Sequence, residues 1–217
     1  HGTTDLGDGT IIRGSQAQVV GQKLRLTQDG VAGGFSSFSV PALANSAAGF
    51  TATFDYLLFD SVGGNYPADG FSFNYGNASL GELGSGEEGM AGRTSENISF
   101  EVDTWRNFDS EQGVGISGVQ SGDDIGNSYA FTNGRILNDG QTKEGTVEIK
   151  WDPAKGATFK TTNLNTNANF TDVKFNPPFV ANDAYSFIIS ARVGGANQDF
   201  FIDNLVITSG EALSSYT

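Results

Sequence analysis

Apolar and polar side chains alternate at a period of two along most of this chain. In residues 49–58 (GFTATFDYLL), Phe50, Ala52, Phe54, Tyr56 and Leu58 fall on one face, while Thr51, Thr53, Asp55 and Leu57 fall on the other. In residues 97–105, Ile98, Phe100, Val102 and Thr104 oppose Ser99, Glu101, Asp103 and Trp105. Successive strand residues point to opposite sides, so each run predicts a strand with a core face and a wetter face. Similar runs predict strands at 22–27, 35–40, 70–75, 113–118, 128–132, 145–151, 156–162, 185–193 and 199–208. Turn chemistry separates them (DGVAGG, VGGNYPADG, DPAKG, NPP and GGANQ), and WDPAKGATF is a hairpin signal with Trp151 as a core or hairpin residue. No long stretch repeats its apolar residues at the helical period, and only 41–48 (PALANSAA) predicts a short helical turn. Many short antiparallel strands pack as an all-β Greek-key or jelly-roll sandwich of two sheets.

Composition sharpens this picture. With 217 residues and no internal repeat or linker-like shift, the chain fits one β-sandwich domain over 1–217, with a loose tail at 209–217. Its 30 glycines and 17 phenylalanines suit short strands joined by tight turns around an aromatic core. No apolar run approaches the ~18 residues of a membrane-spanning helix. Cysteine is absent, so no disulfide braces the fold, and a bound ion could take over part of that role. The net charge of -13 argues against nucleic acid and anionic membranes as partners. It suits a protein that holds cations, although an acidic solubilising surface accounts for most of those charges.

The segment ENISFEVDTWRNFD (96–109) concentrates the candidate chemistry. Glu101 and Asp103 share a strand face, roughly 6.5 Å apart along it. A metal reading takes oxygens from Glu101, Asp103, Asn107 and Asp109 and adds the Trp105 carbonyl; calcium accepts six to eight such ligands in an irregular shell. A catalytic reading makes Glu101 and Asp103 a glycosidase pair at a retaining separation. The plain structural reading leaves both on a solvated face. Asp123 and Asp124 in SGDDIGN fit an ordinary polar turn, and Asp203 and Asn204 fit anchoring of the last strand. With no Cys, and His1 the one histidine, no Ser-His-Asp or Cys-His constellation can form, and no phosphate-cradling glycine motif is present.

Four motifs recur in a fixed order: ADG at 68–70, GELGSGEEGMAG at 81–92, EVDTWRN at 101–107, and SARVGG at 190–195 before the final strand. In this order, over residues 22 to 208, the chain resembles the L-type (legume-lectin-like) lectins, most closely their bacterial branch, with a concanavalin A-like sandwich. The resemblance implies calcium-dependent, non-catalytic carbohydrate binding by a secreted or cell-surface protein, either a free lectin or a module of a larger one. It implies that Asp69 is the sugar-binding aspartate, preceded by a cis Ala68–Asp69 peptide. It implies that Asp103, the Trp105 carbonyl, Asn107 and Asp109 ligate calcium, with Glu101 a partial or water-mediated ligand. It implies that Asn107 also reaches the sugar, that Trp105 lies under its ring, and that a glycine-loop N–H near Gly86 donates to it. It implies further that the loop Gly194, Gly195, Ala196, Asn197 and Gln198 sets the sugar preference. One departure matters. The stretch QGVGISGV after the acidic segment lacks the histidine that would hold a transition metal, which implies calcium alone, with Asp109 and Glu111 competing for the last carboxylate place. Two other readings remain open: an ion-stabilised adhesion domain for a non-sugar partner, and a glycan hydrolase using Glu101 and Asp103. Sandwiches of this kind also pair through edges or sheet backs, so an oligomer is compatible.

Overall fold

A computed structural model describes residues 3–61, 66–84, 86–90, 96–105, 112–118, 128–131, 135–164 and 169–210. In chain order its strands are β1 (Thr3–Asp5), β2 (Ile11–Gly14), β3 (Gln18–Val20), β4 (Lys23–Thr27), β5 (Gly34–Val40), β6 (Phe50–Phe59), β7 (Gly70–Gly76) and β8 (Asn97–Asp103). They continue as β9 (Gly113–Ser117), β10 (Ser128–Phe131), β11 (Thr142–Asp152), β12 (Gly156–Thr161), β13 (Asn169–Val173), β14 (Ser186–Val193) and β15 (Asp199–Ser209). Short 3-10 turns lie at Ser46–Ala48 and Gly86–Glu88. The front sheet runs β1-β2-β5-β14-β7-β8-β9-β10 and the back sheet β13-β12-β11-β6-β15-β4-β3, all pairs being antiparallel. This is the two-sheet jelly-roll sandwich that the alternation predicts. The expected hairpin forms too, with Asp152 opposite Gly156. Strands β1, β2, β3 and β13 fall outside the expected set, because each is short and no described side chain of theirs is fully buried.

The core lies between the sheets. From the back sheet come Phe50, Phe54, Tyr56 and Phe200; from the front sheet come Phe71, Phe73, Tyr75, Phe100 and Phe187, all buried. Phe71 and Phe200 stack across the gap with centroids 4.1 Å apart and planes 8° apart. Each such ring contributes roughly 1.5–3 kcal/mol by leaving water, so this aromatic layer holds the sheets face to face.

The far side of the front sheet corrects one expectation. Its polar residues, Ser39, Ser72, Asn74, Ser99, Glu101, Ser117 and Ser190, are buried rather than solvated. The glycine-rich segment 81–90 lies across them and supplies the missing partners. Gly81 N–H donates to Ser39 Oγ at 2.9 Å, and Met90 N–H donates to Asn74 Oδ1 at 2.9 Å and Ser99 Oγ at 2.8 Å. Ser190 and Ser72 hydroxyls donate to the carbonyls of Leu83 and Gly86. A loop lying flat on a sheet must satisfy its own buried amides and carbonyls, and a serine-lined face provides that chemistry.

Candidate functional site

The candidate residues come together at one end of the sandwich, where β7 begins, β8 ends and β14 turns into β15. Asp69 forms the junction. Its amide donates to the Arg192 carbonyl at 3.0 Å, and its own carbonyl accepts from Thr104 N–H at 2.8 Å and Trp105 N–H at 3.2 Å. The Ala68–Asp69 peptide is cis. These bonds tie the segment before β7 to the ends of both neighbouring strands. The Asp69 side chain is nearly buried, and Arg192 Nε donates to its Oδ2 at 2.9 Å. Burial raises the Asp69 carboxyl above the usual carboxylate range, while the Arg192 charge and hydrogen bond pull it down.

Asp103 stands opposite Gly70, and Gly70 stands opposite Arg192, so the three form a row across adjacent strands. Gly70 is required there: a Cβ would run into the Val102 carbonyl and lie 2.9 Å from the Glu87 Cβ. Asp103 is 5% exposed, and its Oδ1 accepts from Trp105 N–H at 2.8 Å in an Asx turn that ends the strand. Trp105 therefore leaves the alternation that sequence reading assigned to it, because β8 stops at Asp103. Glu101 sits two residues back on the same face, opposite Ser72 and Gly115. It is 2% exposed and its Oε2 accepts from Ser117 Oγ at 2.8 Å. The sequence placed Glu101 and Asp103 on one face correctly; that face lies inside the fold, which removes the solvated reading for both.

The loop after β14 is pinned from within. Gly33 N–H donates to the Gly194 carbonyl at 2.8 Å, and Gly30 N–H donates to Asn197 Oδ1 at 2.7 Å. Thr104 Oγ donates to Gln198 Oε1 at 3.0 Å. Asn197 and Gln198 are buried, so their side chains hold the loop in place, and the exposed surface of the loop is Gly195 flanked by the half-buried Gly194 and Ala196. Gly86 is buried with φ +69°, and a Cβ on it would overlap the Arg192 Cβ.

Two residues that sequence reading missed support this end. Gln112 donates to the Thr104 carbonyl at 2.7 Å and accepts from Ile136 N–H at 2.9 Å. Arg192 bridges Asp69 and Glu87, with Nη1 3.7 Å from Glu87 Oε1. Neither lies in a spacing that marks it, since their partners are distant in sequence. Asn107, Asp109, Glu111, Asp123 and Asp124 lie outside the described residues.

Among the described residues, no group of three or more His, Cys, Asp or Glu side chains is placed to hold a metal. Of the expected ion ligands, Asp103 and the Trp105 main chain stand together at the strand end, and Glu101 lies two residues back on the same face of β8. Asp103 and the Trp105 carbonyl offer oxygen donors alone, which suits a hard cation rather than a metal that needs imidazole or thiolate.

No family model matches the chain, and no curated protein matches it by sequence. Solved structures match it by fold. The metal-free form of lectin I-B4 from Griffonia simplicifolia aligns with a TM-score of 0.65 at 18% identity, over 95% of each chain. The Lotus tetragonolobus seed lectin aligns at 0.66 and 17% identity, over 96% of each. The exoplasmic/lumenal domain of VIP36 in its Ca2+/Man-bound form aligns at 0.65 and 12% identity, over 95% of this chain and 85% of that one. The chain has the jelly-roll sandwich fold of the legume and L-type lectins.

Proposed function

We propose that this chain is a calcium-dependent, non-catalytic carbohydrate-binding domain of the L-type lectin kind, bacterial branch, acting as a single unit in a secreted or cell-surface protein. The observation that carries the reading is the convergence of Asp69, the Asp103–Trp105 strand end and the 194–198 loop at one end of the sandwich. The VIP36 domain of the same fold is a Ca2+/Man-bound form, which supports both ligand and ion. Asp69 supplies a carboxylate acceptor for sugar hydroxyls, and Asn107 and a glycine-loop N–H near Gly86 supply donors. The Trp105 ring covers the C–H face of the sugar. Asp103, the Trp105 carbonyl, Asn107 and Asp109 would hold calcium, with Glu101 behind them, and the ion's contribution is to fix the loop that presents Asn107. A loop ordered beforehand loses little entropy on binding. Because Asn197 and Gln198 are buried, discrimination by their loop falls to the backbone of Gly194 and Gly195 and to the Ala196 methyl. Single-site affinity is expected on the order of 0.1–1 mM, about 4 to 5.5 kcal/mol.

A glycan array probed with labelled protein, in millimolar calcium and again with chelator, tests this reading. Binding to defined sugars that disappears on chelation, and in Asp69→Asn and Asn107→Ala with the fold retained, is the expected outcome. Normal binding by both variants would remove the site. A blank array in calcium, with thermal stability still falling on chelation, would keep the ion and move the function to adhesion.

A further inference from the structure

The side chain of Arg192 has no place in the roles assigned above, yet it touches several parts of the candidate site. Its Nε donates to Asp69 Oδ2 at 2.9 Å, its Nη1 lies 3.7 Å from Glu87 Oε1, and its guanidinium carbon sits 5.6 Å from the Phe35 ring centre. Its main-chain carbonyl holds the Asp69 amide at 3.0 Å, and its Cβ fills the space that Gly86 leaves open. One residue of β14 thus fastens the Asp69 segment and the Gly86–Glu88 turn, two pieces of chain that approach the site separately. The guanidinium fork is rigid and always charged, which suits it to two carboxylates at once.

We propose that Arg192 is the positioning residue of the ligand site, orienting Asp69 through Oδ2 and docking the Gly86 turn through Glu87. This rests on the carbohydrate-binding reading for its consequence but not for its geometry. Among the described residues no hydrogen bond engages Asp69 Oδ1. The ion pair therefore fixes the carboxylate plane and leaves Oδ1 as the oxygen that meets a ligand hydroxyl. The same clamp holds the Gly86 backbone against the sheet, at the place where an N–H donor is needed. An aspartate free to rotate, beside a turn free to lift, would have to be ordered anew by each ligand.

The test uses the full chain in saturating calcium with two variants, Arg192→Gln and Arg192→Lys. Amide hydrogen exchange is followed at 66–70 and 86–90, and glycan-array affinity is measured in parallel. Arg192→Gln should speed exchange in both segments together and weaken array binding roughly 10-fold or more, as expected for losing a charged hydrogen bond. Calcium affinity should stay within about twofold. Arg192→Lys keeps the charge but not the fork, so it should recover part of the affinity and protect at most one segment; it also preserves the test if Arg192→Gln fails to fold. Unchanged exchange in both segments overturns the proposal. A fall in glycan affinity without faster exchange overturns it as well, since Arg192 would then be touching the ligand directly. If the parent binds no glycan, the carbohydrate reading fails alone, and the exchange data still decide the role of Arg192.

Discussion

Replacing Asp60 with asparagine should flatten the dependence of stability on pH and stabilise the chain in mild alkali. Asp60 follows the last residue of β6, is 0% exposed, and neither of its carboxylate oxygens has a hydrogen-bond partner at ordinary geometry. Its amide donates to the Gln141 carbonyl at 3.0 Å, which sets it beside the 139–140 turn. Asp29 lies next to it, accepting from Ser61 N–H at 3.2 Å, and Asp199 accepts from Asp29 N–H at 3.0 Å with Arg25 3.9 Å away. Burial first, then the charge of Asp29 and the neighbouring Asp139 side chain, through hydrogen bonding and charge, push the Asp60 carboxyl from 3.8 to about 7, with the Gly140 amide opposing. A raised pKa in the folded chain means that folding favours the protonated form. The stability this provides is complete below about pH 4 and declines as pH rises to about 7, after which the buried charge is a constant burden. At 1.36 kcal/mol for each tenfold change in proton affinity, the ceiling is roughly 4 kcal/mol. For a chain of this size that is about 8–16 °C in Tm, at about 2–4 °C per kcal/mol. An asparagine side chain has nearly the same shape and never charges, so Asp60→Asn should gain most at pH 8 and little or nothing at pH 4. The assay is chemical or thermal unfolding of parent and variant from pH 4 to 8.5 in chelator at fixed ionic strength. Parallel curves across that range would refute the reasoning.

Three further outcomes check other parts of the structure. Phe200→Ala removes a fully buried ring stacked on Phe71 and should cost about 3–5 kcal/mol in denaturant unfolding, with the slope unchanged. Asn74→Ala takes from Met90 N–H one of its two acceptors, leaving Ser99 Oγ, and removes the amide that donates to the Ile188 carbonyl under the glycine-rich segment. It should cost about 2–4 kcal/mol and speed amide exchange across 81–90 more than across the core strands. Calcium at about 100 times its dissociation constant should stabilise the parent by ~2.7 kcal/mol, and a thermal-shift titration of Asp103→Asn should show most of that gain lost.

Much of the sandwich was legible because alternation is a local signal. The inward face of β6, from Phe50 to Leu58, could be read from one ten-residue run, and Glu101 and Asp103 could be placed on one face of β8 in the same way. What alternation cannot tell is what lies over the opposite face. Ser99 and Glu101 fell on the face of β8 expected to be the wetter one, and polarity alone distinguishes neither water nor a covering loop. The site was legible in part through the order of its motifs. Arg192, Gln112 and Asp60 were not, because their roles depend on partners far along the chain: Asp69 lies 123 residues from Arg192, and Ile136 lies 24 from Gln112. The Asn197 amide, in a glycine loop that invites a ligand role, also anchors that loop by accepting from Gly30 N–H.

The glycine-rich segment links these two levels. The stretch is one of the ordered motifs in the sequence, and the spacing of its glycines follows the sheet beneath them. A Cβ on Gly84 would lie 2.8 Å from Ser190 Oγ; on Gly86 it would strike Arg192, and on Gly89 it would strike Ser99. Ser190 and Arg192 are two residues apart on β14, and Ser99 is on β8, so the segment crosses from one strand to the other while remaining in contact with the pleat. Glycine is needed at each step because the backbone itself makes the contact. A segment held this closely, and fastened at Glu87 by Arg192, places the Gly86 turn beside Asp69. The polar underside of the front sheet therefore serves the site indirectly. It holds the glycine-rich segment flat on the sheet, and changing a serine beneath it should be felt at Asp69.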